Sequence, residues 1–279
     1  MEKRTDLVSR GATQRQVGLC AIAIGLFACA AAPSARAAHP NALWRVVHDL
    51  CATDVEVSGN PAPCAKVDLA RGIAILKDIR GATQLLLVPT KRISGIEDPQ
   101  LLEPASPNYW QAAWEARPLF EQRAGQPVPR DEIGLAINSA YGRSQSQLHI
   151  HIDCIRPDVR RALEADESRI RSRWSTLNVA LAGRHYRAMR LNGADLGARD
   201  PFKLLARNDP RARANMGRET LVVVGASFKG GRPGFVLLSG RAKLRMSDQG
   251  HGEELLDHSC KVLAEQGRGP DDGRPSAAK

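Results

Sequence analysis

Gln147-Leu148-His149-Ile150-His151-Ile152-Asp153-Cys154 alternates strictly between polar and apolar side chains. A period of two is the signature of a strand, because successive side chains point to opposite faces of a sheet. Leu148, Ile150, Ile152 and Cys154 share one face; Gln147, His149, His151 and Asp153 share the other. The stretch therefore predicts a sheet with a packed face and, on its back, a row of polar groups standing together. The turn just upstream, Ser139 to Ser144, contains Gly142, Arg143 and Ser144. Small residues there leave backbone N–H groups free to cradle an anion. Two imidazoles beside such a turn point to chemistry on phosphorus, in which one ring attacks and its neighbour orients it or transfers a proton.

A metal site is the main alternative, since His-x-His on a strand sends both rings to one side. Zinc needs three or four ligands. Asp153 is a possible third, and folding would have to bring His185, His251 or His258 near. Nothing in the spacing requires this, so neither a metal nor another cofactor is expected. A purely structural pair of histidines is less consistent with Gln147 and Asp153 on the same face.

The N-terminus carries a targeting segment. Lys3, Arg4, Arg10 and Arg15 precede an apolar run from Val17 to Ala32; Pro33 ends it, and Ala35-Arg36-Ala37 has the small-x-small pattern of a cleavage site. The uncharged interval between Arg15 and Arg36 holds about as many residues as a short spanning helix needs, ~20. Its basic flank marks the cytoplasmic side. Residues 1–37 are thus expected to form an export signal retained as an inner-membrane anchor, with the body on the periplasmic side. Lipidation of Cys29 is disfavoured by the bulky Phe27 two residues before it.

Export changes how the cysteines read. Cys51, Cys64, Cys154 and Cys260 lie beyond the segment, an even number in an oxidising compartment. Four cysteines allow three connectivities. Cys51 and Cys64 bracket the loop Ser58-Gly59-Asn60-Pro61-Ala62-Pro63 and are expected to pair locally, leaving Cys154 for Cys260. Net charge is +10 with a pI of about 9.7, which suits nucleic acid, an anionic bilayer or a phosphate-rich substrate. The charges are scattered Arg, and aromatic residues make up only 4%, few for base-stacking platforms. A membrane surface is the expected partner and nucleic acid is not.

Along the body, Asn41 to Leu50 has the spacing of a short helix. Gly72–Lys77 and Gln84–Val88 form a hairpin about Asp78-Ile79-Arg80-Gly81. Ser106-Pro107 should start a helix striped by Trp110, Ala113 and Trp114, which Pro118 kinks or ends. A strand follows at Ile133–Asn138, helices at Pro157–Ala165 and Ser168–Arg173, a strand at His185–Leu191, a short helix from Pro201, and strands at Thr220–Val224 and Phe235–Leu238. Without regular βαβ alternation, this is α+β. The expected organisation is an anchor segment at 1–37, one body at 38–262 and a Gly/Pro/Asp/Ser-rich disordered tail at 263–279.

Gln147-Leu148-His149-Ile150-His151-Ile152 resembles the His-φ-His-φ-His-φ signature of the histidine-triad superfamily, with φ apolar. Asn138 on the preceding strand, the Gly142/Ser144 turn and the hairpin end Val88-Pro89 match as well. Longer segments are similar to the bacterial CDP-diacylglycerol pyrophosphatase family. They include Leu86-Leu87-Val88-Pro89-Thr90-Lys91-Arg92-Ile93-Ser94-Gly95-Ile96-Glu97, His149-Ile150-His151-Ile152-Asp153-Cys154-Ile155-Arg156-Pro157-Asp158-Val159-Arg160 and Asp257-His258-Ser259-Cys260. The resemblance runs from about Leu43 to Cys260. It implies a histidine-triad-like antiparallel sheet with helices packed on it, an N-terminal membrane segment, and hydrolysis of CDP-diacylglycerol to CMP and phosphatidate. It also implies His149 as nucleophile and His151 as the third triad member. Gln147 stands where the family signature has its first histidine, and its amide could orient the ring by hydrogen bonding. Asn138, Arg143, Ser144, Gln147 and Lys91 are the candidate substrate contacts, the charged pair being equally at home as solvated surface residues. A hydrolase or nucleotidyl transferase of soluble nucleotide diphosphates and a non-catalytic periplasmic lipid- or metal-binding protein are the competing functions.

Overall fold

The structure, a computed structural model, describes residues 39–261 and 263. The anchor expected at 1–37 and the tail expected from 263, its first residue apart, lie outside the described residues. Among the described residues no helix is long and apolar enough to cross a membrane.

Ten strands form one antiparallel sheet: β1 (Lys66–Asp68), β2 (Ile73–Lys77), β3 (Leu85–Pro89), β4 (Ile133–Ile137), β5 (Ile150–Ile155), β6 (Ser175–Thr176), β7 (Arg187–Asn192), β8 (Glu219–Phe228), β9 (Arg232–Arg241) and β10 (Leu256–Asp257). Their order is β1-β2-β3-β5-β4-β8-β9-β7-β6, so the alternating stretch enters the sheet between β3 and β4, but only from Ile150; Gln147–His149, expected in the strand, lead into it. The last residue pair of β3 with β5 is Leu85 opposite Ile152, which leaves Cys154 and Ile155 without a partner on that side. The short β10 fills this edge, with Asp257 opposite Cys154. With helices packed on the sheet, the fold is α+β, as expected.

Alternation sorts the strands into two faces. One face carries Ile75, Leu87, Leu135, Ile150, Ile152, Val223 and Leu237 in a single apolar cluster. Helices α3 (Tyr109–Glu115), α4 (Arg117–Ala124) and α6 (Pro201–Asn208) supply Trp110, Phe120 and Phe202 to it. The other face has two clusters. Ala74, Leu86 and Val88 pack under the N-terminal helical segment. Ala136, Val222, Val224 and Leu238 pack under α5 (Pro157–Ala165) and the chain that follows it. His149, His151 and Asp153 run between these two clusters.

Several elements differ from the sequence expectation. The N-terminal helix runs past Leu50: α1 (Ala42–Arg45), a π-helical stretch (Val46–Ala52) and α2 (Thr53–Ser58) form one continuous segment, which Gly59 ends in the left-handed conformation. The π stretch contains Cys51, bonded to Cys64, and packs Val47 against the sheet. Helix α3 is capped by the side chain of Asn108, not Ser106, and Pro118 opens α4 as a first-turn proline where a kink was equally expected. Residues 168–173 are not a helix; only a 3₁₀ turn, Glu167–Arg169, forms before the chain extends. Strands β8 and β9 are each ten residues long, because they pair with each other along their whole length. The short helix α7 (Pro210–Ala214) and the strands β1, β6 and β10 were not legible in the sequence.

Candidate active site

Strand β5 places its polar residues on the split face, where neighbours on adjacent strands come level with them. Leu86 of β3 and Ala136 of β4 lie opposite His151. These small or apolar flanks leave the rings to be held by one another and by loops. The His149 and His151 rings meet edge to face, with centroids 5.0 Å apart. Both residues are buried, at 7% and 4% exposure.

The two rings are held differently. His149 Nδ1 lies 2.7 Å from the backbone carbonyl of Gln147. A carbonyl only accepts, so Nδ1 carries the proton and the neutral ring presents a lone pair at Nε2. His151 Nδ1 lies 2.7 Å from the Gln84 amide nitrogen, which donates, so the neutral His151 ring carries its proton on Nε2. Glu253 Oε2 is 3.1 Å from that nitrogen, and Asp78 Oδ2 is 3.7 Å from Nδ1. The Glu253 contact lies off the line of the N–H bond, so it is a charge contact, and among the described residues Nε2 remains a buried donor without a hydrogen-bond partner. Burial, and then the neighbouring His151, push the His149 ring down to about 4 despite upward pulls from the Gln147 carbonyl, Glu253 and Asp78. Burial also lowers His151, with Asp78 opposing it. Both rings are therefore neutral near pH 7.

Beneath them, Asp153 is completely buried. It accepts from Thr83 Oγ1 at 2.9 Å, the Cys154 N–H at 3.0 Å and His258 Nδ1 at 2.9 Å. The carboxylate raises the His258 ring above its ordinary value. The disulfide Cys154–Cys260 pins the turn that carries His258 to β5. The Cys51–Cys64 bond is present as well, so both expected pairings form. Because Cys154 and Cys260 are bonded to each other, their sulfurs beside Asp153 are not thiolate ligands.

The other expected contacts fall in two groups. Gln147 is fully buried, and its amide donates to the carbonyls of Pro89 and Lys91, each at 3.0 Å, and accepts from Ile93 N–H at 3.3 Å. Its side chain thus ties down the loop after β3, and its main-chain carbonyl orients His149. Asn138 Oδ1 accepts from the Glu253 N–H at 3.2 Å, so it holds the loop that delivers Glu253. In the upstream turn, the N–H groups of Tyr141, Gly142 and Arg143 are already bonded to Ser139. Arg143 makes an ion pair with Glu97 at 2.5 Å, which lowers the Glu97 carboxyl against the effect of its burial. Ser144 and the Lys91 side chain are exposed and make no hydrogen bond or ion pair among the described residues. Of the more distant histidines, His258 alone joins this site, through Asp153. His185 lines a separate cavity with Arg184, Tyr186 and Lys243, and His251 contacts Gln249. Asp78, Gln84 and Glu253 were not legible as site residues: each lies in or beside a turn, and only the fold brings them to His151.

A large antiparallel sheet with a buried, neutral histidine pair, one ring presenting a lone pair and the other an unpartnered N–H, defines an α+β protein suited to nucleophilic chemistry. The family model for CDP-diacylglycerol pyrophosphatase matches residues 38–264. A CDP-diacylglycerol pyrophosphatase of Yersinia pestis is 42% identical over 228 residues, covering 82% of this chain and 87% of that protein. The chain belongs to the CDP-diacylglycerol pyrophosphatase family. It is accordingly a hydrolase of CDP-diacylglycerol, in phospholipid metabolism.

Proposed function

We propose that this hydrolase works through a nucleotidyl-histidine formed on His149, in a site of histidine-triad type. The observation that carries the reading is the Nδ1–H bond to the Gln147 carbonyl, which leaves Nε2 as the only lone pair of a neutral, buried ring. Nε2 attacks the phosphorus bonded to cytidine. The bond from that phosphorus to the bridging oxygen breaks, its electron pair stays on the oxygen, and phosphatidate departs as a phosphate monoester. Water then attacks the same phosphorus, the P–N bond returns its pair to Nε2, and CMP leaves. His151 aims its Nε2–H at the phosphoryl group or carries a proton. Ser144, Arg143 and Lys91 reach the diphosphate from the upstream turn and the loop after β3. Asn138 and Gln147 shape the site through the main chain, because their side chains are already bonded there.

The body covers residues 38–262 and faces the periplasm, held at the inner membrane by the apolar run of 17–32. Two formed disulfides support an oxidising compartment. A mature N-terminus at Ala38, with all of the protein in the soluble periplasm, would overturn the anchoring.

The mechanism is tested by rapid quench of a turnover with CDP-diacylglycerol labelled in the phosphate next to cytidine. Label is expected on the protein, stable to alkali, labile to acid and mapping to His149. Unlabelled protein together with near-normal turnover by His149→Ala overturns it.

A further inference from the structure

The loop from Gln249 to Glu253 is held at four points, and their combined effect is to bring one carboxylate to His151. Ser139 N–H donates to the Gly250 carbonyl at 2.9 Å, and the Ser139 hydroxyl donates to the Gln249 carbonyl. Asn138 Oδ1 receives the Glu253 N–H at 3.2 Å. Gly252 lies so close to β4 and β8 that a Cβ on it would sit 2.4 Å from Thr220 Oγ1 and 2.8 Å from the Ile137 carbonyl. Only glycine lets the loop descend this far. Arg80 reaches the far oxygen of Glu253 at 3.5 Å, and the Glu253 side chain is only 16% exposed.

We propose that Glu253 is the positioning residue for His151, holding its Nε2 toward the phosphoryl group and stabilising the positive charge the ring carries while it handles the reaction's proton. The inference rests on the His149 reading above. The surroundings of His151 serve both of its protonation states. In the neutral ring, Nδ1 accepts from the Gln84 amide nitrogen. In the charged ring, the Asp78 carboxylate, its Oδ2 3.7 Å from Nδ1, offsets part of the positive charge, and Nδ1–H gains an acceptor if the Gln84 amide turns its oxygen toward the ring. The groups that bear on the ring are His149 just ahead of the same strand, Asp78 and Arg80 on the turn after β2, Gln84 ahead of β3, Glu253 on the loop above, and His258 on the C-terminal turn. Two carboxylates face it directly, and the arriving diphosphate adds negative charge; together they favour the imidazolium against burial and against the positive charge of His258 and Arg80.

The proton balance is then closed within one turnover. Imidazolium His151 gives its Nε2–H to the bridging oxygen as the bond from that oxygen to phosphorus breaks, and keeps the proton on Nδ1. In the second half, the attacking water gives a proton to Nε2 as its oxygen bonds to phosphorus and the P–N bond breaks. His151 is thereby restored, and Glu253 neither gains nor loses a proton.

The experiment is the pH profile of CMP release by the full chain with CDP-diacylglycerol, for wild type, Glu253→Gln, Glu253→Asp and Gly252→Ala. Glu253→Gln should lower kcat about 10–100-fold, less than the roughly 100–10,000-fold contributed by a group that itself transfers the proton, with little change in KM. It should also move the alkaline limb of the kcat profile to lower pH, because the charged ring has lost its anion. Glu253→Asp should recover part of both effects, and Gly252→Ala, which lifts the carboxylate without removing it, should shift the limb in the same direction. A profile of Glu253→Gln parallel to wild type, or a defect in KM alone, overturns the role of Glu253. A variant that fails to fold, by thermal melting, leaves Glu253→Asp and Gly252→Ala to decide. Labelled His149 in wild type with an unmoved profile refutes this inference only, whereas unlabelled wild-type protein refutes the reading beneath it.

Discussion

Beneath Ile150 and Ile152, one apolar cluster extends unbroken from β2 to β7. Above His149 and His151, the same strands support two separate clusters with a polar row between them. Ionisable groups are costly to bury unless they are paired or neutral. The row meets that cost in different ways: Asp153 is bonded to three donors, His149 stays neutral, and His151 keeps an N–H unpartnered. The first face is organised for stability. The second keeps reactive valences in a dry place and relies on the first for its rigidity.

The largest expected effects separate the two faces by a three-residue step, from His149 just ahead of β5 to Ile152 within it. His149→Ala should abolish CMP release while barely changing the melting temperature, since its ring supports no apolar cluster. Ile152→Ala empties a fully buried position on the packed face and should cost about 2–5 kcal/mol, with near-normal kcat in the molecules that remain folded. Denaturant unfolding and kcat measured on the same preparations check both. A large stability loss for His149→Ala with activity in proportion to the folded fraction would erase the distinction.

The disulfide Cys154–Cys260 spans 106 residues and joins the faces, with Cys154 on the packed side and its turn reaching round to hold His258 against Asp153. On the chain-entropy model, removing it by Cys154→Ser with Cys260→Ser should cost about 3–5 kcal/mol. The Cys51–Cys64 pair closes a separation of only 13, so its removal should cost less. Chemical unfolding of the two double variants ranks them, and the reverse order would contradict the model.

How much of this the sequence disclosed follows the same division. The central strand, the hairpin before it, both disulfides and the histidine pair were legible, because they depend on a two-residue period or on a local bracket. The carboxylates around His151 were not. Asp78 reads as an ordinary turn residue and Glu253 as a surface acid, and their approach to one ring depends on pairings 73 and 102 residues away, which no local pattern encodes. Gln147 was legible as a departure from the family signature. Its work on the main chain of Pro89 and Lys91 was not, since that depends on where the loop after β3 runs. The false helix at 168–173 is the opposite failure: its composition permits a helix, but Arg190 N–H bonds the Arg171 carbonyl and draws the segment out along β7.

The split face should also be the pH-sensitive one. His149 in the folded protein lies at about 4, against 6.5 for a free imidazole. Between these values the unfolded chain binds more protons than the native one, so stability is full above about pH 6.5 and falls as pH drops toward 4. His258, raised by Asp153, contributes in the opposite sense: its share is present below 6.5 and is lost as pH rises through its elevated value. His149→Gln should flatten part of the acid side of the stability profile, the rest coming from His151, which burial also holds at about 4, and leave the alkaline side alone, whereas Asp153→Asn should remove the His258 share. Melting temperatures across pH 4–8 read this directly, and an acid limb unchanged in His149→Gln would mean that other groups set it.

The smallest effect sharpens the border between site and surface. Ser144 and Arg143 are neighbours on the turn before β5, and only Arg143 is committed, to Glu97. Ser144 has no partner to lose among the described residues, so Ser144→Ala should leave stability within about 0.5 kcal/mol of wild type. If its hydroxyl donates to the phosphoryl group during transfer, kcat should still fall about 100-fold, at the low end of losses for a single such donor. Arg143→Ala, by contrast, removes a half-buried ion pair and should lower the melting temperature as well as raise KM. Arg143→Lys should return the charge without the planar guanidinium. The two variants therefore report different things: a kcat defect at constant stability assigns Ser144 to the chemistry, and a linked fall in stability and binding assigns Arg143 to holding the turn in place. Equal and purely thermal effects in both would confine the site to the histidine row and its carboxylates.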